Sequence, residues 1–496
     1  MASVDIICML SLFVISYLCI HIFCRSKKGH DLSKPVPGPF SLPIIGNLLE
    51  IFQAGYRTEE LMLKWAKAYG RIFQFKMGPK TVYVLNDYEL INEAWHHPEM
   101  QGRPTPDLTV KILGAGNGVV NASGETWKEH RRFVLNSFRK FGLGKSTFED
   151  RISEEANRLT ESIAKHNGKP MDVSYTFSLG SCNIISSLVF GRQLDHDHPT
   201  LVNEVSAVLD SFATAGPAGL NNTIPQLAYI KTGQMFIQAN KKLEQSWSSS
   251  LQQHFESRNC NIETQDLVQG YLERLQEGLG ADTTFSRQNL SWFVRDLFLA
   301  GTETVASTLR WATLLLMTHP EVQERCRQEL DEVVGRERYP TTSDKCNLPY
   351  LNATLLEVFR VGNIAPLGVT HKTTGDAYVD GHHIPAGTMV ISNVHAVMND
   401  PSLWTQPGKF MPERFLNDDG KFIKPKEMIP FGIGKRVCLG EQLAKVELFI
   451  WLSRLLHQFR FELPEDGSPI PSINEARTGL ARIPLPYRVR FIARED

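Results

Sequence analysis

Cysteine is scarce in this chain. Eight are scattered over 496 residues, at Cys8, Cys19, Cys24, Cys182, Cys260, Cys326, Cys346 and Cys438, and no two form a C-x-x-C pair. That excludes a disulfide-rich miniprotein and argues against a zinc ribbon or a thioredoxin-type dithiol. Most of these thiols read as small apolar residues of a protein kept in a reducing compartment. Net charge is also lacking: 53 basic against 54 acidic residues leave −1, with no overall basic footprint for nucleic acid. No internal repeat or low-complexity tract appears, and no second linker follows residue 47. Apolar residues at 42% and charged residues at 22% exclude a disordered or collagenous chain. Length alone suggests about three domains. The missing linker argues instead for one large domain over 48–496.

The first charge in the chain is acidic. Asp5 precedes Ile6–Cys24, an uncharged run, and Arg25, Lys27 and Lys28 follow it. A helix over that run is about 28 Å long, enough for a bilayer core. A cleaved signal peptide would want a basic start, a shorter apolar core and a small-x-small cleavage site. The run therefore reads as an uncleaved anchor over 1–25. The flanking charges put the N-terminus in the lumen and the remainder in the cytosol. Residues 26–47 read as a basic, Pro-rich linker: Pro35, Pro37, Pro39 and Pro43 cannot continue a helix and favour a stiff extended strap.

Beyond the strap the spacing predicts a helix over 58–69 and a hairpin of 71–77 with 81–85 about Gly78-Pro79-Lys80. From 127 to 356 the pattern is mostly helical, with one long run over 290–317 ended by His319-Pro320. Short β segments flank Asp380-Gly381 and Pro385-Ala386-Gly387, and a last helix covers 439–458. The fold class is mainly α with a minor β part.

The sharpest signal is Phe431-Gly432-Ile433-Gly434-Lys435-Arg436-Val437-Cys438-Leu439-Gly440. A glycine-rich turn delivers a cysteine to a helix N-terminus. The helix dipole and Arg436 are expected to lower its pKa. An isolated cysteine is more often a buried filler. A lone thiolate with no second Cys or His nearby suits one axial position on a haem iron.

These ten residues resemble the F-x-x-G-x-R-x-C-x-G signature of the haem-thiolate monooxygenases, the cytochromes P450. The resemblance runs from the Pro-rich strap to the C-terminus. It implies the cytochrome P450 fold behind a single N-terminal transmembrane helix, haem b as cofactor and Cys438 as proximal ligand, whose electron donation favours O–O cleavage. Glu357 and Arg360 match E-x-x-R, and Arg414 resembles the arginine that completes that structural triad. Trp127 and Arg131 match W-x-x-x-R; with Arg436 and His371 they are the expected partners of the haem propionates. Ala300-Gly301-Thr302-Glu303-Thr304 matches A-G-x-[D/E]-T. There Gly301 is expected to let a flat cofactor or O₂ approach the backbone, and Thr304 to bond back along the helix. Thr304 and Glu303 are the expected proton relay.

Gly114–Gly118 is glycine-rich but lacks the strand–glycine–helix setting of a nucleotide site. Asn121, Asn221, Asn289 and Asn352 begin glycosylation sequons that a cytosolic body would leave unmodified. Thr370 stands where relatives often carry proline, and Val361–Pro366 also departs in detail. Ile112, Leu113, Phe212, Leu297, Ile364, Leu367, Val369 and Leu480 are the candidate lining of an apolar substrate cavity. Each is equally suited to plain core. The resemblance is strongest to the animal microsomal family-2 group, which handles steroids, fatty acids and xenobiotics. It implies O₂, a small lipophilic substrate, membrane lipid, an NADPH-dependent flavoprotein reductase and cytochrome b5 as partners, and an endoplasmic reticulum location. Lys128, Arg132 and Lys435 are candidates for docking the reductase. A haem-thiolate isomerase or dehydratase, and a non-catalytic haem- or steroid-binding membrane protein, are the alternatives. Intact Glu303-Thr304 argues against the former.

Overall fold

The computed structural model describes residues 35–105, 118–141, 146–216, 229–256, 266–277 and 283–494. The anchor, the basic half of the linker, Asn221, Ile112, Leu113 and Gly114–Asn117 lie outside them. Among the described residues no helix is long and apolar enough to cross a membrane.

Helices α1 (Leu48–Ala54) and α2 (Thr58–Tyr69) precede strands β1 (Ile72–Met77) and β2 (Lys80–Leu85). Met77 pairs with Lys80, so the hairpin turn is Gly78-Pro79 and Lys80 belongs to the strand. Next come α3 (Tyr88–His96), α4 (Gly124–Lys140), α5 (Ser146–Ala164), α6 (Ser174–Phe190), α7 (Pro199–Thr214), α8 (Lys231–Ser246), α9 (Ser248–Glu256) and α10 (Leu267–Glu277). The expected long helix is α11 (Arg287–Thr318), with 32 residues and a length of about 48 Å. Ser286 caps it by accepting from Asn289 N at 3.0 Å. After His319, Pro320 occupies the first turn of α12 (Pro320–Val333), where its missing N–H costs nothing.

Helix α13 (Pro349–Gly362) is followed by β3 (His371–Lys372), β4 (Ala377–Val379), β5 (His382–Ile384), β6 (Met389–Ser392) and the short α14 (Val394–Met398). Asp380-Gly381 links β4 to β5 with both residues at positive φ, +52° and +75°, as a two-residue hairpin demands. Helix α15 (Glu441–Gln458) leads to β7 (Phe459–Glu462), β8 (Ala476–Thr478), β9 (Arg482–Pro484) and β10 (Arg490–Ala493). The one four-stranded sheet among the described residues has the order β1-β2-β6-β3, with β6 parallel to β2.

The Pro-rich strap is stitched to this sheet. Gln74 N donates to Pro37 O at 2.8 Å and Gln74 Nε2 to Val36 O at 2.8 Å. A Cβ on Gly38 would stand 1.9 Å from Gln74 O, so only glycine allows that approach. The folded body thus takes in part of the strap. The main core surrounds α11, α6, α13 and α15; a smaller cluster of Ile51, Met62, Trp65, Phe73, Phe75 and Val84 backs the sheet.

Candidate active site

Helix α11 is buried almost all round from Val305 to Met317. One stripe earlier in the helix is not. Ala300 is exposed and Leu297 and Thr304 are half-buried; their spacing puts them on one face. Thr304 Oγ1 donates to Ala300 O at 2.6 Å, the back-bond expected of it.

Gly301 serves a different neighbour from the expected one. A Cβ there would sit 2.2 Å from Ile185 Cδ1, so the small residue lets α11 pack closely on α6 unless the Ile185 side chain moves. Ser181 Oγ donates to Gly301 O at 3.1 Å across the same crossing. Glu303 also turns inward. Its carboxyl group accepts from Ser307 Oγ at 2.8 Å and lies 3.2 Å from Ser178 Oγ, whose one proton is shared with Ser174 O at 3.0 Å; Arg310 Nη1 is at 3.6 Å. Burial pushes its pKa up, against the pull of Arg310.

Cys438 lies between a 3₁₀ turn (Gly434–Arg436) and α15. Its N–H donates to Phe431 O at 2.9 Å, closing the loop. Gly434 has φ +75° and a Cβ there would meet Trp95 O at 2.4 Å, so glycine lets the loop pack on α3. The thiol is accessible. Its surroundings are nonetheless dense enough that burial pushes its pKa up, outweighing the Gly440 N–H, Arg131 and Lys445. The accessible surface therefore belongs to a recess rather than to open solvent. Among the protein's own groups, burial outweighs the donors and cations near the thiol. Arg436 is not the cation beside the sulfur. It donates to Gln101 O and Ala122 O and lies over the Trp127 ring at 3.9 Å.

Three arginines gather along one edge. Arg131 Nη2 donates to Val437 O at 2.8 Å, tying α4 to the cysteine loop. Arg103 Nη1 donates to Val369 O at 2.9 Å and Thr370 O at 3.1 Å, while its buried Nε has no partner. Burial first, then the neighbouring arginines, pulls Arg103 and Arg436 down to about 9. Among the described residues no carboxylate pairs with any of the three. His371 sits at the same edge, stacked on Trp95 at 3.8 Å, with Nδ1 held by Met100 O at 2.6 Å. Burial and Arg103 push its pKa well down, so Nδ1 donates and Nε2 is the ring nitrogen left for a ligand.

An accessible thiol, an uncovered helix stripe and a rim of unpaired cations make a coherent donor set. They fit a flat apolar body that carries a metal at its centre and anionic groups on one edge. Haem b has that form.

Behind the cysteine loop, Glu357 is fully buried. It accepts from Arg360 Nε at 2.7 Å and Nη2 at 2.8 Å, from Arg414 Nε at 3.1 Å and from Met411 N at 3.0 Å. Arg360 also donates to Met398 O and Lys409 O, and Arg414 to Thr405 O. Burial makes the ion pairs costly alone, and these extra hydrogen bonds offset the desolvation. The triad braces the segment leading to the cysteine loop and stays out of the site.

A family model described as Cytochrome P450 matches residues 36–491. The chain is 36% identical over 494 residues to cytochrome P450 2J1 of Oryctolagus cuniculus, covering 98% of this chain and 96% of that one. It is 37% identical over 466 residues to cytochrome P450 2J2 of Homo sapiens, covering 92% and 91%. It is 34% identical over 490 residues to cytochrome P450 2C26 of Mesocricetus auratus, covering 97% and 98%. The chain belongs to the cytochrome P450 family. It is a haem-thiolate monooxygenase with haem b as cofactor, and its relatives are family-2 members, as the motifs implied.

The apolar candidates of this P450 do not all fall in one place. Leu480 is exposed, and the adjoining Gly479 lies against the end of α7, where a Cβ on it would stand 3.7 Å from Phe212 O. Arg482 N donates to Ile364 O at 2.9 Å, which brings Ile364 to the same turn. Val369, also exposed, lies beside Arg103 at the cation rim. Leu297 belongs to the uncovered stripe. Leu367 instead packs on the small cluster behind the sheet. Arg103 is the site residue that sequence reasoning missed.

Proposed function

We propose that this P450 inserts one oxygen atom of O₂ into a steroid, fatty acid or xenobiotic held between the α11 stripe, Ile364, Val369 and the turn carrying Leu480. Cys438 would hold the haem iron through its sulfur, and Arg103, Arg131, Arg436, Trp127 and His371 would hold the propionates. Haem bound there supplies the oxygen-activating redox chemistry. The chain's own task is to exclude water, to hold the substrate, and to deliver protons on the α11 side.

Thr304 is the residue placed for that delivery, because its hydroxyl stands on the uncovered stripe. Glu303 is the proposed proton source behind it. To act it must leave Ser178 and Ser307, so its turn outward would gate the transfer. Electrons would come from a membrane-bound NADPH-dependent flavoprotein reductase, with cytochrome b5 as a second donor. Arg132 and Lys435 are exposed near the loop and have no ion-pair partner among the described residues, and Lys128 is exposed but paired with Glu125 at 2.6 Å. They would meet an acidic partner face. Residues 1–25 would anchor the protein in the endoplasmic reticulum membrane with its body cytosolic. Exposed Phe40, Ile44, Leu49 and Phe52 support apposition of the neighbouring surface to lipid.

The observation that carries this reading is the accessible Thr304–Ala300 stripe on a helix that is buried from Val305 to Met317. Thr304→Ala tests it in a reconstituted assay of NADPH, product and hydrogen peroxide. Alanine suits the helix at least as well. Product per NADPH should fall about tenfold, with peroxide making up the difference. Unchanged coupling would place proton delivery elsewhere.

A further inference from the structure

A second buried carboxyl approaches the α11 turn from the cysteine side. Glu447 stands on α15, the helix that starts just after Cys438, and is 1% exposed. Its Oε1 is 3.1 Å from Ser181 Oγ, and the same Oγ is 3.1 Å from Gly301 O. Ser181 has one hydroxyl proton to share between these two oxygens. Gly301 O is an acceptor only. If the hydroxyl donates to a Glu447 carboxylate, Ser181 Oγ and Gly301 O face each other with no proton between them. If it donates to Gly301 O, the proton toward Glu447 has to come from Glu447. Only a carboxylic acid at 447 satisfies both contacts together.

The surroundings agree. No cation pairs with Glu447 among the described residues. The charged group facing it is Glu155 of α5, whose oxygens are engaged by His196, Asn183 and Arg158. Burial pushes the Glu447 pKa well up, against the pull of the Ser181 hydroxyl, and Glu155 adds to the rise. Helices α6 and α15 pack closely here: a Cβ on Gly180 would meet Trp451 at 2.9 Å.

We propose that Glu447, as a neutral acid, is a positioning residue for oxygen chemistry. It donates to Ser181, Ser181 donates to Gly301 O, and the chain fixes the turn that carries Ala300 and Thr304 relative to the helix that follows Cys438. The proposal rests on the reading of Thr304 given above. It assigns Glu447 no contact with substrate or cofactor, and a carbonyl at the end of the chain passes no proton onward.

The test uses the full chain loaded with haem and paired with its reductase. Glu447→Gln keeps an N–H for Ser181 and should leave product per NADPH as in the wild type. Glu447→Leu fills the same apolar space without a donor, and Ser181→Ala removes the middle of the chain. Each should divert about three- to tenfold more NADPH to hydrogen peroxide. The Leu/Ala double variant should be no worse than either single, because all three break one chain. Hydrogen–deuterium exchange over residues 297–305 should rise in the Leu and Ala variants and stay unchanged in the Gln variant. A merely structural role would lower thermal stability or haem content and leave both readouts of the surviving holoenzyme alone. Gln behaving as Leu, or Leu behaving as wild type, overturns the inference. Thr304→Ala in the same assay separates the two readings. Should it fail to uncouple, the Thr304 role falls and the exchange data alone decide on Glu447.

Discussion

Arg103 has no helical or hairpin partner in the sequence to mark it. It reaches the cation rim because Lys372 N donates to Gly102 O at 2.9 Å, in a bridge that also places His371. No spacing rule connects those two segments, so only the folded chain reveals the contact. The W-x-x-x-R and cysteine-loop arginines were legible because their motifs are local. Their individual partners were not: Arg436, expected to add charge near the thiol and to meet a propionate, donates to Gln101 O and Ala122 O and lies over the Trp127 ring. Arg103 offers charge-assisted hydrogen bonds to an anionic edge, each worth about 1.5–3 kcal/mol. Arg103→Leu should therefore release haem about ten- to a hundredfold faster to a scavenging apoprotein, with the fold retained. Unchanged release would remove Arg103 from the propionate edge.

At the scale of elements, periodicity locates α11 but does not say which neighbour each face meets. Gly301 and Glu303 match the family pentapeptide, yet the structure packs Gly301 against Ile185 and pairs Glu303 with Ser178, both on α6. A tertiary contact of that kind leaves no mark on the local pattern. Asp296 shows a related device. Its Oδ2 accepts from Val119 N and Val120 N, both at 2.8 Å, and so pins the segment before α4 to α11. Burial pushes this carboxyl up to about 6, against Arg295 and the two N–H groups. The folded state then holds a proton that the unfolded chain gives up between about pH 4 and 6. The stability of the wild type should fall, relative to Asp296→Asn, as pH rises through that window, by at most about 3 kcal/mol. Above it the difference should be flat. Thermal midpoints of both proteins from pH 4 to 8 measure this. A difference with the opposite slope would mean the carboxylate is stabilised, not strained.

Across the whole molecule, the order of motifs made the family legible, since every one stands in the expected sequence. The turns about Gly78-Pro79 and Asp380-Gly381 showed two hairpins, but the pairing that joins β3 and β6 to the larger sheet did not show. β3 has two residues and its partner β6 also pairs with β2, far away in sequence, so no run of alternation announces them. Every haem-facing feature lies within the described body, well clear of residues 1–25. Removing those residues should weaken membrane retention and leave haem content intact. Exposed Phe40 and Ile44 should preserve some lipid association, read by vesicle flotation. Loss of haem in a folded, soluble truncation would contradict that separation. The central claim is that the Cys438 thiolate holds the haem. The reduced, CO-bound absorption spectrum of wild type and Cys438→Ser tests it most directly. The wild type should show the long-wavelength band of thiolate ligation, and the serine variant, whose oxygen donates less charge, should lose it. A serine variant that keeps the wild-type band would show that another residue ligates the iron.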